Sequence, residues 1–131
     1  MTVDEAASTA AMVNMDTLGL APTEVWTSHS DKELFRVLVD CARKLNLPLR
    51  GVNVDEVGST DSESFAQRKI PRITIHSLTQ EAWDAGILHS SKDKISAIRF
   101  DHYYQTYRLV AAYLSILDQL QRPAEGGSSR R

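Results

Sequence analysis

The sequence predicts an α/β domain in which helices cover a sheet that is at least partly parallel. Two observations lead there. Short apolar runs bounded by turn residues alternate along the chain with amphipathic helical stretches, and an apolar content of 42% in 131 residues is enough to fill one core. A third observation qualifies the architecture: the strands are few and short, too thin a sheet for helices on both faces, so partner strands are expected to be missing.

The elements follow in order. Ala11 to Asp16 is an apolar run without a helical stripe, closed by Gly19 and Pro22, and reads as a strand. Glu24 to Thr27 is a second short strand. Ser30-Asp31-Lys32-Glu33 matches a capping box, with Ser30 as N-cap and Glu33 reaching back to its amide. From there Leu34, Phe35, Leu38, Cys41, Ala42 and Leu45 recur at helical spacing until Asn46 and Pro48 stop the helix. Val52 to Val57 alternates apolar and polar residues, as an exposed strand or extended loop does, and Gly58-Ser59-Thr60 breaks it. A helical turn over Ser62 to Gln67 precedes Pro71, and Arg72 to His76 is a strand. Asp101 is the expected N-cap of a long helix with Tyr103, Tyr107, Val110, Ala111, Leu114 and Leu117 on its buried face, ending before Pro123. Residues 1–10 form an amino-terminal extension, 11–121 the domain, and 122–131 a small, polar tail expected to be disordered.

Composition narrows the function classes. A net charge of −2 and the lack of a basic patch give no footprint for nucleic acid or an acidic membrane, and Arg130-Arg131 is too short to be one. The single cysteine, Cys41, excludes an intramolecular disulfide and a Cys-rich zinc site, and its apolar helical context makes it a packing residue. No run approaches the roughly 20 apolar residues of a membrane span, and Met1 to Glu5 is acidic where a signal peptide is basic. No membrane partner is expected, the chain as written carries no export signal, and its compartment is open.

Candidate chemistry sits where strands end, because clefts of α/β proteins form outside the carboxyl edge of the sheet. Asp16 ends the first strand, and His89 lies in a loop beyond the strand that ends at Ile75 or His76. Each alone is an ordinary turn or solvated residue. The tyrosines of the last helix read as core, His76 as a strand-end residue and His102 as a helix-start residue.

Taken in order, Asn14-Met15-Asp16-x-x-Gly19, then a capped helix, Thr60-Asp61-x-x-x-Phe65 leading to Lys69-Ile70-Pro71, then Leu88-His89-Ser90-x-x-Asp93 and a closing amphipathic helix, resemble the co-catalytic zinc aminopeptidase family. These are the clan MH exopeptidases, to which the glutaminyl cyclases are related, and the resemblance runs from Ala11 to Leu120. It implies the carboxy-terminal portion of a catalytic domain: a partial three-layer sandwich, with helices flanking a mixed, mostly parallel sheet. It also implies Asp16 as a terminal ligand of one zinc and His89 as a terminal ligand of the other, with Asp93 steadying the loop or the imidazole and Asp61 near the substrate cleft in a supporting role. The implied substrate is a peptide or an aminoacyl compound.

The departures from the family pattern are specific. Thr60 and Ser62 replace its usual serine and histidine, and Leu88 stands where several members place a tyrosine that donates to the tetrahedral intermediate. The family also needs an upstream His-x-Asp, a bridging aspartate and a Glu-Glu pair that supplies the general base, and this sequence has no Glu-Glu dipeptide. Its one His-x-Asp, His29-Ser30-Asp31, lies downstream of Asn14-Met15-Asp16 and is explained as a helix start. An open catalytic zinc takes about three protein ligands and hydrolysis takes a base. The chain alone is therefore expected to bind zinc weakly or not at all and to be inactive, with no catalytic base assigned. The rival readings are aminoacyl cyclisation of the glutaminyl cyclase type, and a non-catalytic remnant or interaction module of the same fold. Unpaired sheet edges are expected to favour self-association.

Overall fold

The computed structural model describes residues 1–53 and 60–121. Four strands form one sheet: β1 (Met12–Asp16), β2 (Glu24–Trp26), β3 (Arg50–Val52) and β4 (Arg72–His76). Their order is β1-β4-β2-β3, with β1 parallel to β4, β2 parallel to β3, and β2 antiparallel to β4. The sheet is thus mixed and mostly parallel. Five α-helices accompany it: α1 (Val3–Ser8), α2 (Lys32–Leu45), α3 (Glu63–Ala66), α4 (Gln80–Asp84) and α5 (Phe100–Gln121). Most of the stretch expected to extend over Val52 to Val57 lies outside the described residues, as does the 122–131 tail.

Alternation along the strands sorts the two faces of the sheet. Val25, Ile73 and Ile75 turn to one face and are fully buried against Leu34, Leu38 and Cys41 of α2 and Leu109, Val110 and Tyr113 of α5. The Tyr113 hydroxyl donates to the Leu34 carbonyl at 3.1 Å, tying the two helices together. Thr74 and His76 turn to the other face. There Ser62, just before α3, meets the Thr74 hydroxyl at 3.2 Å, and Glu63 of α3 pairs with Arg72 at 2.7 Å.

Two helix starts differ from expectation. The α2 N-cap is Asp31, whose Oδ1 accepts from the amides of Glu33 and Leu34 at 2.9 and 3.1 Å, and Glu33 turns to Arg36 instead of closing a capping box. Ser30 is occupied elsewhere. Its hydroxyl donates to the Trp26 carbonyl and accepts from the Thr74 amide, so it extends the β2–β4 ladder by a side chain. Helix α5 starts at Phe100, with the Tyr103 amide bonded to the Arg99 carbonyl, which puts Asp101 in the first turn and not at the cap.

The buried face of α5 also differs. Thr106, Leu109, Val110 and Tyr113 are buried and Ile116 and Leu117 partly so, whereas Tyr103, Tyr107, Ala111 and Leu114 are exposed. The helix is apolar on two faces, and periodicity does not say which one meets the sheet. Thr106 settles it: its hydroxyl bonds to that of Thr23 at 2.7 Å beneath the helix. The exposed stripe joins Met15 and Leu18 at the outer side of β1, an edge strand, in one apolar groove. Tyr103, Tyr104 and Tyr107 are surface residues rather than core, with Tyr104 stacked between Phe100 and Tyr107.

Gly19 joins the β1 end to α5. Its φ is +89°, a Cβ there would stand 2.9 Å from Ile98 Cγ2, and its carbonyl accepts from the Arg99 amide at 2.8 Å.

Candidate metal-binding cleft

Because β1 and β4 are parallel, their carboxyl ends open at one edge of the sheet, and that is where the cleft lies. Asp16 and His76 are register partners there. A cavity of about 340 Å³ is lined by Asp16 and Thr17 from the end of β1, Thr74, His76 and Leu78 from β4 and its exit, and Leu88, His89 and Asp93 from the loop after α4. Trp26, Thr60 and Trp83 complete the wall.

Three of the four residues singled out from sequence, Asp16, His89 and Asp93, line this one cavity. Asp61 does not line it, although its neighbour Thr60 does, and Asp61 is exposed. His29 is also elsewhere. It lies in the 3₁₀ turn Thr27–His29, stacks on Trp26 with ring centroids 4.2 Å apart, and faces Glu63 across 3.8 Å.

Local backbone shapes the two ends of the cleft. His89 has φ +54° and Thr17 has φ +47°, both in the left-handed region that non-glycine residues, and β-branched ones above all, seldom occupy. The His89 loop is held by Ser90, whose hydroxyl donates to the carbonyls of Gly86 and Ile87 at 2.8 Å and accepts from the Lys92 amide at 3.1 Å. Asp93 joins through its backbone, its amide donating to the Ser90 carbonyl at 3.1 Å. Lys92 closes the loop onto the Ala85 carbonyl.

His76 is the cleft residue whose place the sequence did not disclose. It is 4% exposed, its Nδ1 accepts from the Leu78 amide at 3.1 Å, and its Nε2 is buried without a partner among the described residues. Burial pushes its pKa down to about 4, against the opposing pull of Asp16. The unfolded imidazole protonates near pH 6.5 and the folded one only near 4, so the stability linked to His76 is present above pH 6.5 and is lost as pH falls towards 4. That share is about 3 kcal/mol. Urea unfolding of the native chain and of His76→Gln at pH 7 and pH 4 measures it, and equal pH slopes in the two proteins would contradict it.

Glu24, the antiparallel partner of His76, is buried beside the cleft and pairs with Arg50 at 2.6 Å. Burial raises its pKa and Arg50 opposes the rise.

The donor set bears on metal binding. Among the described residues, no three His, Cys, Asp or Glu side chains are grouped to hold a metal ion. A catalytic zinc takes about three protein ligands, so Asp16 and His89 are at most part of a site.

Residues 2–114 match Peptidase family M28. No curated protein matches the chain. Among solved structures, the LapA aminopeptidase of Legionella pneumophila superposes with a TM-score of 0.70 at 20% identity, over 82% of this chain and 31% of that one. BSAP, a zinc aminopeptidase from Bacillus subtilis, superposes with a TM-score of 0.73 at 18% identity, over 89% of this chain and 30% of that one. The likeness is one of fold, and the chain spans about 30% of the length of BSAP.

Proposed function

Since the chain belongs to peptidase family M28, a premise that residues 2–114 carry, we propose that it is part of a zinc metallopeptidase domain of the aminopeptidase type. In this reading Asp16 and His89 are terminal ligands, one to each of two zinc ions, and Asp93 steadies the loop that presents His89. The observation that carries it is the convergence of Asp16, His89 and Asp93, from segments more than 70 residues apart, on one cleft at the carboxyl edge of the parallel pair. Zinc would supply a polarised carbonyl and an activated water. The remaining ligands and the base that takes the water's proton come from outside the described residues.

Calorimetric titration with Zn²⁺ and release of chromophore from aminoacyl anilides test the reading. The chain alone is expected to bind zinc weakly and to turn nothing over. Joined to an upstream segment that carries His-x-Asp and Glu-Glu, it is expected to do both. Release of ammonia from a glutaminyl peptide by the joined protein would favour aminoacyl cyclisation instead. Tight stoichiometric zinc binding by the chain alone would overturn the assignment of ligands.

The apolar groove over Met15, Leu18, Tyr107 and Leu114, beside the edge strand β1, is expected to bring copies of the chain together. Sedimentation across a concentration series checks this, with Leu114→Glu shifting the equilibrium towards monomer. A native chain that stays monomeric throughout would contradict it.

A further inference from the structure

We propose that His76 is a built hydrogen-bond donor of the cleft: a neutral imidazole that presents Nε2–H beside Asp16 to the carbonyl oxygen of a bound peptide or aminoacyl ligand. The inference rests on the reading of this cleft as a peptide-binding site. It adds a residue and excludes a role, since a ring in this tautomer is not a zinc ligand through Nε2.

Nδ1 accepts a hydrogen bond from the Leu78 amide at 3.1 Å, and an amide donates only to a lone pair, so Nδ1 carries no hydrogen. The neutral ring's single hydrogen is then on Nε2. The tautomer is set by the backbone two residues on, in the turn out of β4.

The second step is the position of Nε2. The residue is 4% exposed and lines the cavity, yet Nε2 has no hydrogen-bond partner among the described residues. A buried N–H without an acceptor is costly, of the order of a lost hydrogen bond, and such groups are rare unless a ligand uses them. His76 also stands in register with Asp16 on the parallel neighbour strand, so both side chains leave the same face of the sheet with their Cα atoms about 5 Å apart. Nε2 itself is covered in the unliganded chain, so a ligand oxygen seated against the β4 end reaches this donor once the wall around the ring gives slightly.

The third step is chemical need. A cleft that polarises a carbonyl works best with a fixed donor aimed at that oxygen. Leu88 offers none. The remaining cleft side chains with N–H or O–H donors are Thr17, Thr60, Thr74, His89 and the two tryptophans. Thr74 is engaged with Ser62 and Thr60 is bonded to Ser62, while His89 lies on the exposed loop. Among the described residues of the cleft, His76 combines burial, a fixed tautomer and an unpartnered hydrogen.

The test uses the full chain with imidazole-¹⁵N histidine and through-bond ¹H–¹⁵N correlation. The expected result is the Nε2–H tautomer at His76, unchanged by Zn²⁺, with the Nε2–H resonance moving downfield as leucinamide is titrated in. His76→Gln, whose amide nitrogen falls near the Nε2 position, is expected to keep leucinamide affinity within about threefold, and His76→Phe to weaken it about three- to tenfold, the worth of one neutral hydrogen bond. The tautomer is read on the native protein, so it does not depend on either variant folding. An Nδ1–H tautomer, displacement of the His76 nitrogens by Zn²⁺, or an Nε2–H signal indifferent to leucinamide would each overturn the proposal. Tight Zn²⁺ binding that bypasses His89 would count against the metal reading only, leaving the His76 result to stand by itself.

Discussion

Replacing His89 by Ala in a complete domain, with the upstream ligands and base restored, is expected to lower aminoacyl-anilide hydrolysis by more than about a hundredfold. Loss of a residue that merely orients a metal ligand already costs about 10- to 100-fold, and loss of a ligand itself must cost more. Asp93→Ala is the internal comparison. Asp93 lines the same cleft, and in the proposed reading its carboxylate is what steadies the loop or the imidazole, so its replacement belongs in the 10- to 100-fold range. Asp61→Ala is expected to be nearly silent, because Asp61 is exposed and does not line the cleft. Rates and zinc content measured on the three variants check the order. His89→Ala with full zinc content and undiminished turnover would remove His89 from the site.

The second large effect is structural. Tyr113→Ala is expected to destabilise the chain by about 3–5 kcal/mol, the usual cost of deleting a buried aromatic side chain and leaving a cavity. Tyr113 is fully buried in the cluster where α2, α5 and the sheet meet. Tyr113→Phe keeps the ring and loses only the bond to the Leu34 carbonyl, so it should cost about 1 kcal/mol. Burial also pushes the Tyr113 hydroxyl pKa well above its ordinary value. The folded protein holds that proton where the unfolded chain releases it, so stability linked to Tyr113 is complete below pH 10 and falls as pH rises beyond it. Urea midpoints at neutral pH and at pH 11 measure all three effects. A Tyr113→Ala midpoint close to that of the native chain would show the α2–α5 seam to be loosely packed.

Local signals carried the elements and failed at their faces and ends. The strand over Arg72 to His76 and the helix over Lys32 to Leu45 coincide with their apolar patterns, because period and stop residues are properties of neighbouring residues. The Ser-x-x-Glu signature at Ser30 is not a capping box, whereas Thr2 and Glu5 make one at the start of α1, in a stretch that reads as a mere extension. Ser30 is claimed by Thr74, which lies 44 residues on, and no local rule sees that far. The face of α5 that meets the sheet was illegible for the same reason, being selected by Thr23, 83 residues away from Thr106. At the site, order along the chain pointed to Asp16, His89 and Asp93, which do converge on one cleft. His76 was hidden because its meaning lies in its register with Asp16, and register across 60 residues is set by the whole sheet.

That register has a kinetic side. β2, α2 and β3 are contiguous and can assemble early, and β4 then adds to β2. Among the described residues β1 pairs with one strand, β4, 60 residues downstream, so its loop is costly to close until β4 is in place. β1, the earliest of these four strands along the chain, is thus the last of them to dock, and Asp16 takes its position in the cleft only then. Val13→Ala should accordingly speed unfolding and leave the folding rate almost unchanged, while Leu38→Ala should slow folding. Stopped-flow chevrons of the two variants distinguish this order, and a Val13→Ala folding arm slowed as much as that of Leu38→Ala would reverse it.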